Sequence, residues 1–426
     1  MVFSSAVFLF AFLPVVFILH TVIRNTTARN VLLIVASLIF YAWGEPVYVV
    51  LLLASILINY LLGRFVWGRK PVLVAAVIVN LAFLIVFKYA GFIVQSINAI
   101  PFISLKEPKI SMPIGISFYT FQAMSYVIDT YRDERKRPGS FLDVMLYVCL
   151  FPQLVAGPIV KYNSVREQLQ DRQVSAEGTA SGIQRFIVGL SKKMLIANVM
   201  AVAVDRMFAL DMAQLDMASA WVGAVCYMLQ IYFDFSGYSD MAVGMGKMFG
   251  FTFPENFDYP YTACSIRQFW KKWHISLTSW FREYLYFGGN RKGRARTLFN
   301  RFFVFLCTGI WHGADWTFVV WGIYHGVLTM LETVLVKDKK DKNAGKAADS
   351  ARSVIRVLGH IYTLLAVMIG FVIFRADSMR QAVHFIASMF SFGATAVGTM
   401  TAVSVMSPLF IVTLIIAAVA CTPVLR

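Results

Sequence analysis

Two of the six histidines lie in GIWHGADWTFVVWGIYHG, residues 309–326, one of the most apolar stretches of the chain. His312 comes about a dozen residues into an apolar run that begins after Arg301, so we expect it deep in a membrane. A charged imidazole is costly there, whereas a neutral one can accept a proton from a hydroxyl group. His312 is therefore a candidate general base. The alternative is a packed histidine that hydrogen-bonds a neighbouring carbonyl.

The other isolated histidines are expected to be structural. His325 follows His312 by 13 positions, which on an unbroken helix places it about 140° away, on another face. No histidine has a partner at metal-ligand spacing, and the five cysteines lie singly, so no metal site is predicted. We expect packing or interfacial roles for His20, His360 and His384.

A second candidate is the basic segment 265–301, with nine Lys or Arg residues against one acidic residue. On a helix, residues 267–284 of this segment gather their aromatic side chains on one face, with His274 just off that face among cationic residues, and GGNRKGR at 288–294 is a turn. One interpretation is an interfacial helix with its aromatic face in lipid. The other is a site for an anionic, phosphate-bearing donor bordered by His274. The aromatic-face residues are Phe269, Trp270, Trp273, Leu277, Trp280, Phe281 and Tyr284; the donor-site candidates are Arg267, Lys271, Arg282, Asn290 and Arg291.

Polar residues with apolar sequence neighbours form a third group of candidates. Asp234 and Asp240, in YFDFSGYSD at 232–240, could orient a histidine or line a polar tunnel, but we favour helix capping. The candidates for lining a tunnel are Gln153, Tyr238, Ser239, Asp240 and Trp311.

The elements that position these residues must be membrane helices. Hydrophobic residues make up 58% of the 426, and the mean hydropathy is +0.67, more apolar surface than a soluble core can bury. We predict an all-α, multi-pass protein with about ten to twelve transmembrane and re-entrant helices. The net charge is +16, and the basic residues lie between the apolar runs. This distribution indicates the positive-inside pattern, not nucleic-acid binding. Membrane lipids or phosphorylated cofactors are the expected anionic partners.

One membrane domain is expected over residues 1–426. It comprises N-terminal spans (1–138, with an outside N-terminus), a catalytic core (139–336), a solvated loop (337–350) and C-terminal spans (351–426). Residues 140–160 have cationic links on both sides and a break at Gly157–Pro158. They are therefore predicted to be re-entrant.

Several long motifs resemble the membrane-bound O-acyltransferase superfamily, and within it the alginate O-acetyltransferase branch. They include PIGISFYTFQAMSYVIDTYR (113–132), FPQLVAGPIVKY (151–162), GYSDMAVGMGKMFGFTFPENF (237–257), FWKKWHISLTSWFREYLY (269–286) and TGIWHGADWTFVVWGIYHG (308–326). The resemblance implies a helical bundle around a tunnel in the bacterial inner membrane, with His312 essential and His274 at the second characteristic polar position. It also implies acetyl-CoA as donor substrate, no tightly bound cofactor, and an extracytoplasmic partner acetyltransferase that modifies a polysaccharide.

The sequence leaves alternatives open. The nearest rival is a teichoic acid D-alanyl transferase fed by an acyl carrier protein; a non-catalytic transporter is another. Transfer through a covalent acetyl-histidine is a variant mechanism. Alginate, peptidoglycan, cellulose and other glycans all remain possible acceptors. The turn YLYFGGNRKG is shorter than usual for the branch, and the chain ends at TPVLR, where relatives usually continue, so a truncated form is expected.

Overall fold

The computed structural model describes residues 1–133, 138–285, 293–335 and 346–425, and within these ranges the chain is helical with no β-strand. Residues 134–137 of a predicted basic link and 337–345 of the predicted solvated loop lie outside the described residues, and 346–350 begin a helix. The first helices are α1 Phe8–Val22, α2 Thr26–Gly44, α3 Val49–Phe65, α4 Lys70–Asn98, α5 Ile116–Arg132, α6 Phe141–Cys149, α7 Phe151–Leu154, α8 Tyr162–Gln170 and α9 Ala176–Phe208. The remaining helices are α10 Met217–Met248, α11 Ile266–Lys272, α12 Ile275–Tyr284, α13 Arg294–His312, α14 Trp316–Leu335, α15 Lys346–Arg375, α16 Met379–Met389, α17 Ala396–Ser404 and α18 Pro408–Ala420.

Among the described residues, five helices are long and apolar enough to cross a membrane: α2, α4, α9, α14 and the part of α15 from Val354 to Arg375. Helices α17 and α18 meet at 77° and would form a sixth span if taken together, and α1 and α3 are shorter apolar helices. The predicted all-α, multi-pass membrane architecture is confirmed.

The described chain forms two compact units. The first contains Met1–Leu190 and Gly237–Glu255; the second contains Ser191–Ser236 and Asn256–Arg426. The division of residues 1–426 into spans, core and loop stays a prediction.

In the first unit, helix α5 is buried on nearly every side, because residues 116–130 are almost all inaccessible to solvent. A glycine in α3 permits this packing, since a Cβ atom on Gly63 would lie 2.5 Å from the Tyr126 ring. The predicted re-entrant segment 140–160 consists of α6, α7 and a non-helical stretch, and neither helix is long enough to cross a bilayer. Helix α6 begins at a capping box, in which Ser140 and Asp143 exchange side-chain to backbone hydrogen bonds.

The prediction of one continuous helix through residues 269–284 is wrong. Helix α11 ends at Lys272 and α12 begins at Ile275 because a neighbouring segment takes the hydrogen bonds that would have continued the helix. The amides of Ile275 and Ser276 donate to the backbone and side-chain oxygens of Asn256, and the Lys272 carbonyl accepts from the Asp258 amide.

The predicted lipid-facing aromatic stripe is also wrong for most of its members, which are buried inside the protein. In α11, the Trp270 ring packs edge-to-face on Trp321 of α14, with 5.4 Å between ring centroids. The buried members are Phe269, Trp270, Trp273, Leu277, Trp280 and Phe281.

Helix capping by Asp234 and Asp240 is wrong as well, because both residues lie inside the unbroken helix α10. Asp240 pairs with Arg185 in the first unit, with Oδ1 2.8 Å from Nε. Asp234 pairs with Lys193 in the second unit at 2.7 Å. In each pair the cation lies on α9. The ion pairs compensate the negative charges of the two carboxylates.

Candidate functional site

His274 lies in the second unit at the break between α11 and α12. Its backbone is in the left-handed region, with φ 45° and ψ 53°, which is uncommon for a residue with a side chain. Only 3% of the residue is exposed. Such a conformation persists only where the surrounding structure enforces it, and the bonds from Asn256 to the next two residues do so.

In the described part of the chain, the His274 ring has one hydrogen-bonding contact, and the aromatic ring nearest to it is that of Phe235. Its Nδ1 lies 3.1 Å from Oδ1 of Asn256, and the Phe235 ring packs edge-to-face at 4.6 Å between ring centroids. Within the described residues, Nε2 is buried and has no hydrogen-bond partner. Burial lowers the pKa of His274 well below that of a free imidazole, and the His312 ring lowers it further. The ring is therefore neutral near pH 7.

His312 is the last residue of α13, where the chain turns through the extended residue Gly313. Its ring is half-buried and packs at 5.3 Å from Trp321 and 5.0 Å from Phe374. The centroids of the His274 and His312 rings are 6.5 Å apart. The structure thus brings together the two histidines singled out from the sequence, although 38 positions separate them.

The two histidines are held together by contacts between the helices that carry them. The Glu332 carboxylate near the end of α14 accepts hydrogen bonds from the amides of Ile266 and Arg267 at 2.7 and 3.0 Å. These amides have no intrahelical partner at the start of α11, and a carboxylate there is also favoured by the helix dipole. Helix α14, the neighbour of α13, therefore fixes the start of the helix that leads to His274.

Helices α13 and α14 themselves meet through glycines. A Cβ atom on Gly309 would overlap the carbonyl oxygen of Phe318 and would lie 2.9 Å from the Cα atom of Gly322. This close approach places the end of α13, and with it His312, against the aromatic side chains of α14.

Comparisons with known proteins identify the family. The family model for the membrane-bound O-acyltransferase family matches residues 116–369, which is more than half of the chain and includes Asn256, His274 and His312. The chain belongs to the membrane-bound O-acyltransferase family. It is therefore an acyltransferase, and the predicted superfamily is confirmed.

Curated relatives of this O-acyltransferase act on different acceptors. The chain is 42% identical to the probable alginate O-acetylase of Pseudomonas putida over 92% of this chain and 81% of the relative. It is 34% identical to the peptidoglycan O-acetyltransferase of Helicobacter pylori, over 91% and 80% respectively. Identity to the teichoic acid D-alanyltransferase of Bacillus subtilis is 27%, over 57% and 67%.

The basic residues predicted to bind the donor differ in exposure and in ion pairing. Arg267 lies 3.6 Å from the Glu332 carboxylate, so part of its charge is already compensated. Lys271 and Arg282 are exposed. Asn290 and Arg291 lie outside the described residues.

The residues predicted to line a tunnel belong to different units. Trp311 lies beside the two histidines, 6.0 Å from His274 and 4.9 Å from His312 between ring centroids. The others belong to the first unit, where Gln153 donates to the Tyr147 carbonyl, Tyr238 stacks on Phe3 and Ser239 is buried. Their tunnel role stays a prediction.

His325 lies on α14, a different helix from His312, because the chain breaks at Gly313–Asp315. The angle of about 140° for an unbroken helix therefore does not apply. Its ring is fully buried and packs at 5.0 Å from Trp321, which also contacts His312. A Cβ atom on Gly370 would overlap His325 Nε2, so α15 packs tightly against it. A structural role for His325 stays a prediction.

Asn256 was not predicted as a site residue. It lies in FTFPENF, 251–257, within one of the segments that resemble the O-acyltransferase superfamily. One feature of the sequence could have pointed to Asn256: it is an amide residue that follows an apolar stretch and precedes the basic aromatic segment. Its partner could not be identified because its contact with His274 joins residues 18 positions apart across irregular backbone.

Proposed function

We propose that this O-acyltransferase is an O-acetyltransferase of the bacterial inner membrane that transfers acetyl groups from acetyl-CoA toward an extracytoplasmic polysaccharide, through a partner acetyltransferase. The observation that carries the proposal is the pair of imidazoles, His274 and His312, with ring centroids 6.5 Å apart in apolar surroundings. The relatives that act on alginate and peptidoglycan support acetyl as the transferred group and a glycan as the final acceptor.

In this proposal His312 is the general base. An imidazole nitrogen of His312 takes the proton of the acceptor hydroxyl while its oxygen forms a bond to the thioester carbonyl carbon. The carbon–sulfur bond then breaks, and the CoA thiolate leaves and receives that proton. Ring centroids 6.5 Å apart place both imidazoles within reach of one bound substrate, since each hydrogen bond spans about 3 Å. His274 positions the reacting groups beside His312.

The donor would be held by the basic residues around α11 and α12. Lys271 and Arg282 have exposed charges that can attract the phosphates of CoA. Arg267 contributes less, because it also pairs with Glu332. Asn290 and Arg291 complete the proposed set. We expect CoA to bind as a substrate and not as a resident cofactor.

A second candidate is D-alanyl transfer from a carrier protein, which the relative from Bacillus subtilis favours. The two functions differ in the thioester consumed. Membranes containing the protein, incubated with labelled acetyl-CoA and separately with labelled D-alanyl carrier protein, are expected to consume only the acetyl label. Consumption of the D-alanyl label alone would replace the proposal, and solute movement without thioester cleavage would support a transporter.

The role of His312 is tested by comparing His312→Ala with His325→Ala. Loss of a general base is expected to reduce acetyl transfer by about 10²–10⁴-fold in His312→Ala. His325→Ala removes an imidazole from the same helix pair without removing the base. We expect it to retain most of its activity per folded molecule, with folding checked by thermal melting. Near-normal transfer by His312→Ala would eliminate the assignment.

A further inference from the structure

The bonds of Asn256 determine which nitrogen of His274 carries a hydrogen. Oδ1 of Asn256 lies 3.3 Å from the amide nitrogen of Ser276 and 2.9 Å from the Ser276 hydroxyl oxygen. A backbone N–H can only donate, so the Asn256 atom that faces it must be the oxygen and not the amide nitrogen. The orientation of the Asn256 side chain is thus fixed by the start of α12.

The same oxygen lies 3.1 Å from Nδ1 of His274. An amide oxygen has no hydrogen to give, so Nδ1 must be the donor in this contact. A neutral imidazole carries one hydrogen, and burial keeps His274 neutral. Nε2 therefore has a lone pair, and among the described residues nothing donates to it.

We propose that Asn256 is a positioning residue that holds His274 in the Nδ1–H tautomer, so that Nε2 accepts a hydrogen bond from a bound substrate at a group other than the hydroxyl that His312 deprotonates. This inference rests on the proposed function and deepens it. This tautomer favours a role for His274 in positioning a substrate over one in stabilising a developing negative charge. A lone pair on Nε2 repels an oxyanion but attracts the hydrogen of an N–H or O–H group, and so holds the bound substrate beside His312.

Backbone geometry supports the same assignment. The Asn256 carbonyl accepts from the Ile275 amide at 3.0 Å, so Asn256 bonds residues on the C-terminal side of His274 through both its backbone and its side chain. These bonds maintain the left-handed backbone of His274, with φ 45°. One residue thereby controls both the direction of the ring and its hydrogen.

The first test measures the tautomer directly, without substrate. Protein labelled with ¹⁵N-histidine, in lipid nanodiscs, is studied by solid-state NMR, and the His274 signals are assigned by their loss in His274→Gln. We expect the Nδ1–H tautomer in wild-type protein. A wild-type ring found as Nε2–H, or doubly protonated at the pH of the assay, would overturn the proposal without any variant.

The second test uses substitutions at Asn256. Asn256→Leu keeps the approximate shape of the side chain but accepts no hydrogen bond. Loss of the residue that orients a catalytic histidine lowers kcat about 10⁴-fold in a catalytic triad. Here we expect Asn256→Leu to lower kcat by at least 10-fold. KM for acetyl-CoA should change by less than about 2-fold, because Asn256 does not touch the donor in the proposed arrangement. Asn256→Asp keeps an acceptor oxygen and is expected to retain the Nδ1–H tautomer and more activity than Asn256→Leu.

Ser276→Ala is the matched control. It removes the hydroxyl contact to Oδ1 of Asn256 but leaves the Ser276 amide that fixes the oxygen, so tautomer and kcat should stay near wild-type values. Full kcat in Asn256→Leu would overturn the proposal. Absence of acetyl transfer in wild-type protein with an Nδ1–H ring would instead overturn the proposed function and leave the tautomer assignment standing.

Discussion

Asp216 shows that a residue can remain charged even when it is 3% exposed. Its carboxylate accepts from the amide and hydroxyl of Ser219, at the start of α10, and from Thr395 and Thr399, at the start of α17. Burial acts to raise the pKa of Asp216, but these hydrogen bonds outweigh burial and lower it to about 2. The His274 ring, which contacts the Asn256 amide oxygen, instead loses its charge on burial.

We therefore predict that Asp216 stabilises the protein in a pH-dependent way. Because the folded-state pKa is about 2 and lies below the unfolded value of about 4, the contribution is fully present above pH 4. It is lost as pH falls through 2. Asp216→Asn should lower the melting temperature at pH 7, and the difference from wild type should shrink at pH 3.

Asp377→Asn is the control for this prediction, since the Asp377 side chain is 79% exposed and its removal should change little. Thermal unfolding in detergent at both pH values measures the effect. An equal destabilisation by Asp216→Asn at pH 7 and pH 3 would contradict the assigned charge.

At the scale of helices, the contact between α13 and α14 depends on small residues. We predict that Gly309→Ala destabilises the protein by about 1–3 kcal/mol, the usual result of overpacking, because the new methyl group would overlap the Phe318 carbonyl. Acetyl transfer should fall too, since His312 lies at the end of α13.

Gly91→Ala provides the comparison. Gly91 is also helical, in α4, and a Cβ atom there meets no atom within 4 Å. Alanine favours a helix over glycine by roughly 0.5–1 kcal/mol, so this variant should be as stable as wild type or more so. Equal melting temperatures for the two variants would show that α13 and α14 do not need the close approach.

The sequence predicted those helices that depend on local properties. Apolar runs at 31–44 and 71–97 predict α2 and α4, and the run at 299–335, interrupted at 313–315, predicts α13 and α14. It did not predict the break at His274, because helical periodicity continues through residues 269–284. The break is caused by Asn256, which lies 18 positions earlier.

The candidate site was predictable in part, because some of its residues stand out by their local sequence alone. His312 and His274 were found as ionisable residues in apolar or basic aromatic settings, and motif resemblance added their roles. Their separation of 6.5 Å depends on contacts such as Glu332 with the start of α11. Contacts between distant segments leave no periodic signal in one sequence.

At the scale of the whole molecule, the proposed reaction requires two aqueous sides. Basic links between apolar runs indicate the cytoplasmic side, where acetyl-CoA is available, whereas a polysaccharide acceptor lies on the opposite side. An O-acyltransferase in the membrane can bring the cytoplasmic donor and the acceptor on the opposite side to the same pair of histidines. A transporter would need no thioester cleavage, and a carrier-fed transferase would not consume acetyl-CoA.

The most direct test uses inverted membrane vesicles, whose cytoplasmic face is outward, with labelled acetyl-CoA added outside and the partner enzyme and polysaccharide enclosed. The account predicts alkali-labile acetyl label on the enclosed polysaccharide with wild-type protein and His325→Ala, and almost none with His312→Ala. Equal labelling with His312→Ala, or no consumption of acetyl-CoA by wild-type protein under conditions where D-alanyl carrier protein is consumed, would contradict it.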